Sequence, residues 1–124
     1  HQIRMNGHPP AHIAIPAFDL ERSRHFYSKV LGQEERRSAV NWVDFNFFGH
    51  QLTVHLVRSE MERPETQVID GDQIPARHFG VVLTKESWEV LRQQLMREKQ
   101  AFVIGPKLRF AGADGEQWTM FTVD

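Results

Sequence analysis

A short apolar strand headed by histidine occurs twice in this chain, and each copy runs straight into an amphipathic helix. The first is His12-Ile13-Ala14-Ile15-Pro16, with a helix predicted over Asp19–Leu31. The second is His78-Phe79-Gly80-Val81-Val82-Leu83, with a helix predicted over Lys85–Lys99. The two histidines stand about half a chain apart, so the sequence reads as one supersecondary unit used twice. A repeat that puts the same metal-capable side chain at the same structural point suggests a two-fold site drawn from both halves.

The rest of the chain fills in around these two units. His1–Pro10 holds Gly7 and Pro9-Pro10 and reads as a flexible lead-in. Asp19 is a suitable N-cap, Leu20, Phe26, Tyr27, Val30 and Leu31 share one helical face, and Gly32 supplies a left-handed stop. Glu34–Ala39 reads as a charged edge strand. Trp42–Phe48 alternates cleanly, with Val43, Phe45 and Phe47 on one side and Trp42, Asp44 and Asn46 on the other. After a turn at Gly49-His50, Gln51–Val57 alternates Leu52, Val54 and Leu56 against Gln51, Thr53 and His55. Residues 58–75 are polar, with Pro64, Asp70-Gly71-Asp72 and Pro75, and read as a linker or flap. Strand 77–83 follows, then a helix capped by Thr84 with Trp88, Leu91 and Leu95 in one stripe. That stripe and Met96 read as core. Phe102–Phe110 is a strand kinked at Gly105-Pro106, 111–115 a turn, and Gln117–Val123 a last strand. The order is strand, helix and three strands, then strand, helix and two strands.

Composition narrows the functions such a chain can have. At 124 residues it is one domain or two fused small modules, here 11–57 and 76–124. A formal charge of −1, with no basic stripe, gives no footprint for nucleic acid. No apolar run approaches the ~18–20 residues of a membrane helix. Absence of cysteine excludes disulfides, thiolate metal sites and cysteine nucleophiles, and suits a reducing, cytoplasmic setting. No glycine-rich loop leads into a helix, and no serine stands in a nucleophile elbow.

The doubled β-α-β-β-β order resembles the vicinal-oxygen-chelate superfamily, which includes glyoxalase I, the bleomycin- and fosfomycin-resistance proteins and the extradiol ring-cleaving dioxygenases. The residues that carry the likeness are His12-Ile-Ala-Ile, the Asp19…Phe26-Tyr27…Leu31-Gly32 helix, His78-Phe-Gly-Val-Val-Leu and Gln117-Trp-Thr-Met-Phe-Thr-Val-Asp124. It spans about Ala11 to Asp124. The resemblance implies an α+β fold: two βαβββ modules forming one curved, mostly antiparallel sheet around a metal, with helices on its convex face. First-strand histidines of both modules are common ligands in such proteins, and a glutamate on the final strand is another. That strand is absent from the sequence, and the expectation is that a Pro/Gly turn and a Glu-bearing strand continue past Asp124.

Within that frame, strand parity sorts the candidates. Ile13 and Ile15 must face a helix, so His12 faces the concave side; Phe79, Val81 and Leu83 place His78 likewise. Two neutral imidazoles suit iron or manganese, and nickel or zinc also fit. His55 is a further candidate ligand, although Thr53 is nearer the position that supplies one in glyoxalase-like members. His50 and His25 read as solvated surface. Trp42, Asp44, Asn46, Thr53 and Arg109 are candidate substrate contacts. The resemblance then implies a metal-dependent oxidoreductase like the extradiol dioxygenases, acting on a small substrate chelated through adjacent oxygens. A glyoxalase-type lyase, isomerase or thiol transferase is the alternative enzyme, and a metal-free resistance protein that sequesters a small molecule is the alternative of another class. A homodimer, with the site within one chain or shared between protomers, completes the expectation.

Overall fold

The computed structural model describes residues 8–58, 66–69, 71–75, 77–109, 111–112 and 117–124. The expectations for 1–7 of the lead-in, 59–65 of the linker, Asp70, Phe110 and 113–116 of the late turn lie outside the described residues. The fold class is α+β, in two compact units: residues 1–60 with Asp124, and residues 61–123.

The first unit is a complete β-α-β-β-β module. Its strands are β1 (His12–Ala17), β2 (Glu34–Ala39), β3 (Trp42–Phe47) and β4 (His50–Leu56), in the sheet order β1-β4-β3-β2. β1 runs parallel to β4, and the other pairs are antiparallel. The alternation seen in the sequence sets which face is buried. Val43, Phe45, Leu52 and Val54 have no exposed surface, and Val43 lies opposite Val54 and Phe45 opposite Leu52. Each such side chain contributes about 1.5–3 kcal/mol by leaving water.

The helix that covers this face starts as predicted and then changes pitch. Asp19 Oδ1 accepts from the Glu21 and Arg22 amides at 2.9 and 3.2 Å, which caps α1 (Leu20–Arg24). From His25 to Val30 the chain continues as a π-helix, with Leu31 N donating to Phe26 O at 2.9 Å. This widening helps explain why neighbours Phe26 and Tyr27 are both buried: Tyr27 meets Phe26 edge-on at 4.9 Å and lies 5.2 Å from Phe45. Gly32, at φ +70°, ends the helix as expected.

The β3–β4 turn falls one residue earlier than predicted. Phe48 and Gly49 both have positive φ, as a two-residue hairpin of this twist demands, and His50 already belongs to β4. Gln33 Oε1 accepts from Phe48 N and Asn46 Oδ1 from Gly49 N, so side chains hold a conformation phenylalanine adopts reluctantly.

The second unit departs further from the sequence reading. Part of the expected linker is a hairpin, β5 (Thr66–Ile69) paired with β6 (Asp72–Pro75). Segment 77–83, expected as a strand, is not one: residues 77–80 are all exposed, Phe79 included although its parity predicted an inward face, and only Val81 and Leu83 are half-buried, on either side of a Val82 that is 98% exposed. The reason is topological. In the first unit β1 is held by β4 alone, and among the described residues of the second unit no strand corresponds to β4. Thr84 caps α2 (Lys85–Arg97), accepting from Ser87 N at 3.1 Å. Leu95 is buried as expected, but Met96 is exposed, because one residue along a helix is about 100° off the stripe. β7 (Phe102–Arg109) pairs with β8 (Gln117–Thr122), and register shifts around Ile104 put irregularity where Gly105-Pro106 predicted a kink. Among the described residues no helix is long and apolar enough to cross a membrane.

Candidate functional site

The face of the first sheet away from the helix carries most of the candidate residues. β1 contributes His12. β3 contributes Trp42, Asp44 and Asn46, and β4 contributes Gln51, Thr53 and His55. Register fixes who meets whom: Thr53 lies opposite Asp44 on one side and Ala14 on the other, His12 is level with Gln51, and His55 is level with Trp42 and Pro16.

Three of these residues are joined by their side chains. His12 Nε2 lies 3.2 Å from Thr53 Oγ1, and Thr53 Oγ1 donates to Asp44 Oδ1 at 2.6 Å. Asp44 and Thr53 are buried at 4% and 7% exposure, while His12 is exposed. A carboxylate out of water is costly unless it is paired. Here the Thr53 hydroxyl serves one oxygen and the Arg37 guanidinium stands 3.6 Å from the other. Arg37 was not singled out from the sequence. β2 reads as a charged edge strand with no one residue marked out, and Arg37 lies in its register shift between Glu35 and Ser38, beside Asp44.

The remaining candidates have different surroundings. His55 is exposed and sits four strand positions beyond the level of His12, roughly 13 Å along the sheet. It shares its level with Trp42. Asn46 is committed to the hairpin turn through Gly49. His50, read as solvated surface, is half-buried and accepts the Ala11 amide through Nδ1 at 2.8 Å, tying the residue before β1 to the start of β4. A shallow groove between Phe18–Leu20 and Ala39–Val40 is lined by none of the candidates.

In the second unit, the His78 ring packs edge-on against Phe121 at 5.4 Å. Arg109, whose alternation suggested a substrate contact, is buried at 3% exposure. Its guanidinium donates to Thr119 Oγ1, Ile69 O and Asp72 Oδ2 and lies 5.7 Å from the Phe121 ring centre. Lys107 Nζ also reaches Asp72 at 2.8 Å, and these two cations hold the Asp72 carboxyl below the usual carboxylate range, Lys107 first. Arg109 thereby fastens the β5–β6 hairpin to β7 and β8.

Among the described residues no three histidine, aspartate or glutamate side chains form a ready-made metal cluster. The first unit's donors do fit a divalent ion in kind: an exposed imidazole, backed by a hydroxyl and a buried carboxylate of the sort that orient metal-binding histidines.

Comparison with known proteins agrees with the fold. Residues 10–113 match the family described as the glyoxalase/bleomycin resistance protein/dioxygenase superfamily. A crystal structure of a glyoxalase/bleomycin resistance protein/dioxygenase from Alicyclobacillus acidocaldarius is 30% identical, covering 98% of this chain and 86% of that one, with a TM-score of 0.79. Lactoylglutathione lyase from Agrobacterium tumefaciens is similar in fold at 13% identity, covering 97% and 88%, with a TM-score of 0.59. Oxidase ChaP-H2 is similar in fold at 13% identity, covering 83% and 76%, with a TM-score of 0.56. A search of curated proteins finds no match.

Proposed function

Since the chain belongs to the glyoxalase/bleomycin resistance protein/dioxygenase superfamily, we propose that it is a divalent-metal-dependent oxidoreductase of the extradiol-dioxygenase type. Its substrate is a small molecule held through two adjacent oxygens. His12 and His78 are the nitrogen ligands, and iron or manganese is the favoured metal. The observation that carries this reading is the placement of His12: an exposed imidazole on the sheet face opposite the core, in line with Thr53 and the buried Asp44. Among proteins of the same fold, one is named as an oxidase and one as a lyase, so the scaffold alone does not choose the reaction.

When bound, the metal supplies positive charge that favours the deprotonated form of substrate hydroxyls. The chain's own residues do the rest. His12 binds at the start of β1, and Thr53 and Asp44 hold it in place. Trp42 and His55, level with each other and displaced along the sheet, form a wall for the flat body of the substrate. Arg37 balances the charge of Asp44. The same reading gives the protein a homodimeric state and a cytoplasmic setting, the latter in keeping with a chain free of cysteine.

Elemental analysis of the full chain purified without added metal tests the proposal, alongside His12→Ala, His78→Ala and His50→Ala. Iron or manganese in the parent and in His50→Ala, lost in the other two, is the expected result. Equal metal content in all four proteins removes His12 and His78 as ligands. A parent that stays metal-free after reconstitution supports sequestration instead.

A further inference from the structure

Two cations of β7 converge on one carboxylate oxygen. Lys107 Nζ and Arg109 Nη2 both donate to Asp72 Oδ2 at 2.8 Å. Taken together, these three groups keep one positive charge unbalanced. Arg109 is buried at 3% exposure, and its five N–H groups serve Thr119 Oγ1 and Ile69 O as well as Asp72. A buried guanidinium without an anion is costly, so this position demands a carboxylate. The Lys107 and Asp72 side chains are 37% and 30% exposed, which leaves the position open to solvent on one side.

The acid that fills it is lightly mounted. Asp72 opens β6, the second strand of a hairpin with four residues on each side. A lone hairpin of that length is marginal in water. Val68 and Ile69 of β5 are exposed at 66% and 37%, so their burial does little to hold it down. The guanidinium also lies against Phe121, 5.7 Å from the ring centre, and the same ring meets His78 edge-on at 5.4 Å. One aromatic side chain therefore bridges Arg109 and the histidine that heads the second repeat.

We propose that Lys107 and Arg109 form a carboxylate-binding subsite, that Asp72 is its built-in occupant, and that a ligand bearing a carboxylate takes Asp72's place. The subsite stands on these contacts alone. Its assignment to the substrate rests on the function proposed above, and under that reading the substrate is a vicinal diol that also carries a carboxylate. An acid tethered on a short link competes at an effective concentration on the order of millimolar, so a dilute free carboxylate loses to Asp72. A substrate already held by its two adjacent oxygens is tethered in the same way, and its carboxylate competes with Asp72 on equal terms.

The first arm of the test uses the full chain as purified. Asp72→Gly removes a carboxymethyl group that acetate can replace, whereas in Asp72→Asn an amide fills the space. Calorimetry is expected to show saturable acetate binding by Asp72→Gly, about tenfold or more tighter than by the parent or Asp72→Asn. Acetate should also raise the unfolding midpoint of Asp72→Gly beyond the effect of equal potassium chloride. Adding Lys107→Met to Asp72→Gly should weaken acetate binding about tenfold. Acetate that acts on Asp72→Gly no more than chloride does, or binding unchanged by Lys107→Met, overturns the subsite. Should Asp72→Gly fail to fold, Asp72→Ala with formate decides by the same two outcomes.

The second arm uses the metal-loaded parent with catechol and with 3,4-dihydroxybenzoate. The acid is expected to bind about tenfold more tightly, and Lys107→Met to erase the difference. Equal affinity for the two diols overturns the assignment to the substrate. If neither diol binds, the proposed function fails, and acetate binding by Asp72→Gly still decides the subsite.

Discussion

The hydroxyl of Tyr27 donates to Asp124 Oδ2 at 2.8 Å, a bond between residues 97 positions apart in the sequence. The Tyr27 ring is buried against Phe26 and Phe45, so this bond satisfies the one polar atom of an otherwise apolar side chain. Tyr27→Phe keeps the ring and removes the bond. The expected loss is about 1 kcal/mol in urea unfolding of the full chain.

Tyr27 also sets an alkaline limit. Burial, and then the charge and hydrogen bond of Asp124, push its hydroxyl above the ordinary tyrosine value of 10.0. A raised value in the folded state means that this stability is fully present below pH 10 and falls as pH rises past it, since the unfolded chain releases the proton first. Stability measured between pH 9 and 11 should fall less steeply in Tyr27→Phe than in the parent.

Asp72 sets the opposite limit in the second unit. Its carboxyl is lowered by Lys107 and then by Arg109, so its contribution is present above the ordinary value of 3.8 and is lost as pH falls through the lower folded value. Asp72→Asn should reduce the midpoint of thermal unfolding at pH 7 and flatten its decline below pH 4. A variant as acid-sensitive as the parent would remove Asp72 as the group responsible.

The cap on α1 offers a local test of the fold. Asp19→Ala strips the acceptor from the Glu21 and Arg22 amides, and a loss of about 1 kcal/mol is expected in denaturant unfolding. Asp19→Ser should recover most of it.

A variant at His55 tests whether, in the proposed function, substrate binding can be separated from metal binding. Its level with Trp42, four positions from that of His12, predicts that His55→Ala keeps its metal while losing affinity for a vicinal diol. With catechol as the probe, calorimetry on the metal-loaded chain should show about tenfold weaker binding, ~1.4 kcal/mol. Loss of metal in this variant would make His55 a ligand.

Much of this architecture can be read from local pattern. Period-two alternation in Trp42–Phe47 and Gln51–Leu56 assigns every side chain to a face, and the hydrophobic effect then chooses the one that packs against the helix. Asp19 and Thr84 announce their helices because capping involves only the next few amides. The kink in β7 was legible for the same reason, since Gly105-Pro106 acts on its own backbone.

What local pattern leaves open is pairing. Nothing in the sequence says that Thr53 lies between Ala14 and Asp44, or that a register shift in β2 carries Arg37 to the far side of that acid. The polar stretch after residue 58 hides a hairpin because Arg109, distant in sequence, anchors Ile69 and Asp72. Segment 77–83 has the composition of a strand and is not one among the described residues, because a strand exists only where a neighbour completes its ladder. Alternation says which face His12 is on; long-range pairing says that its ring meets Thr53 there.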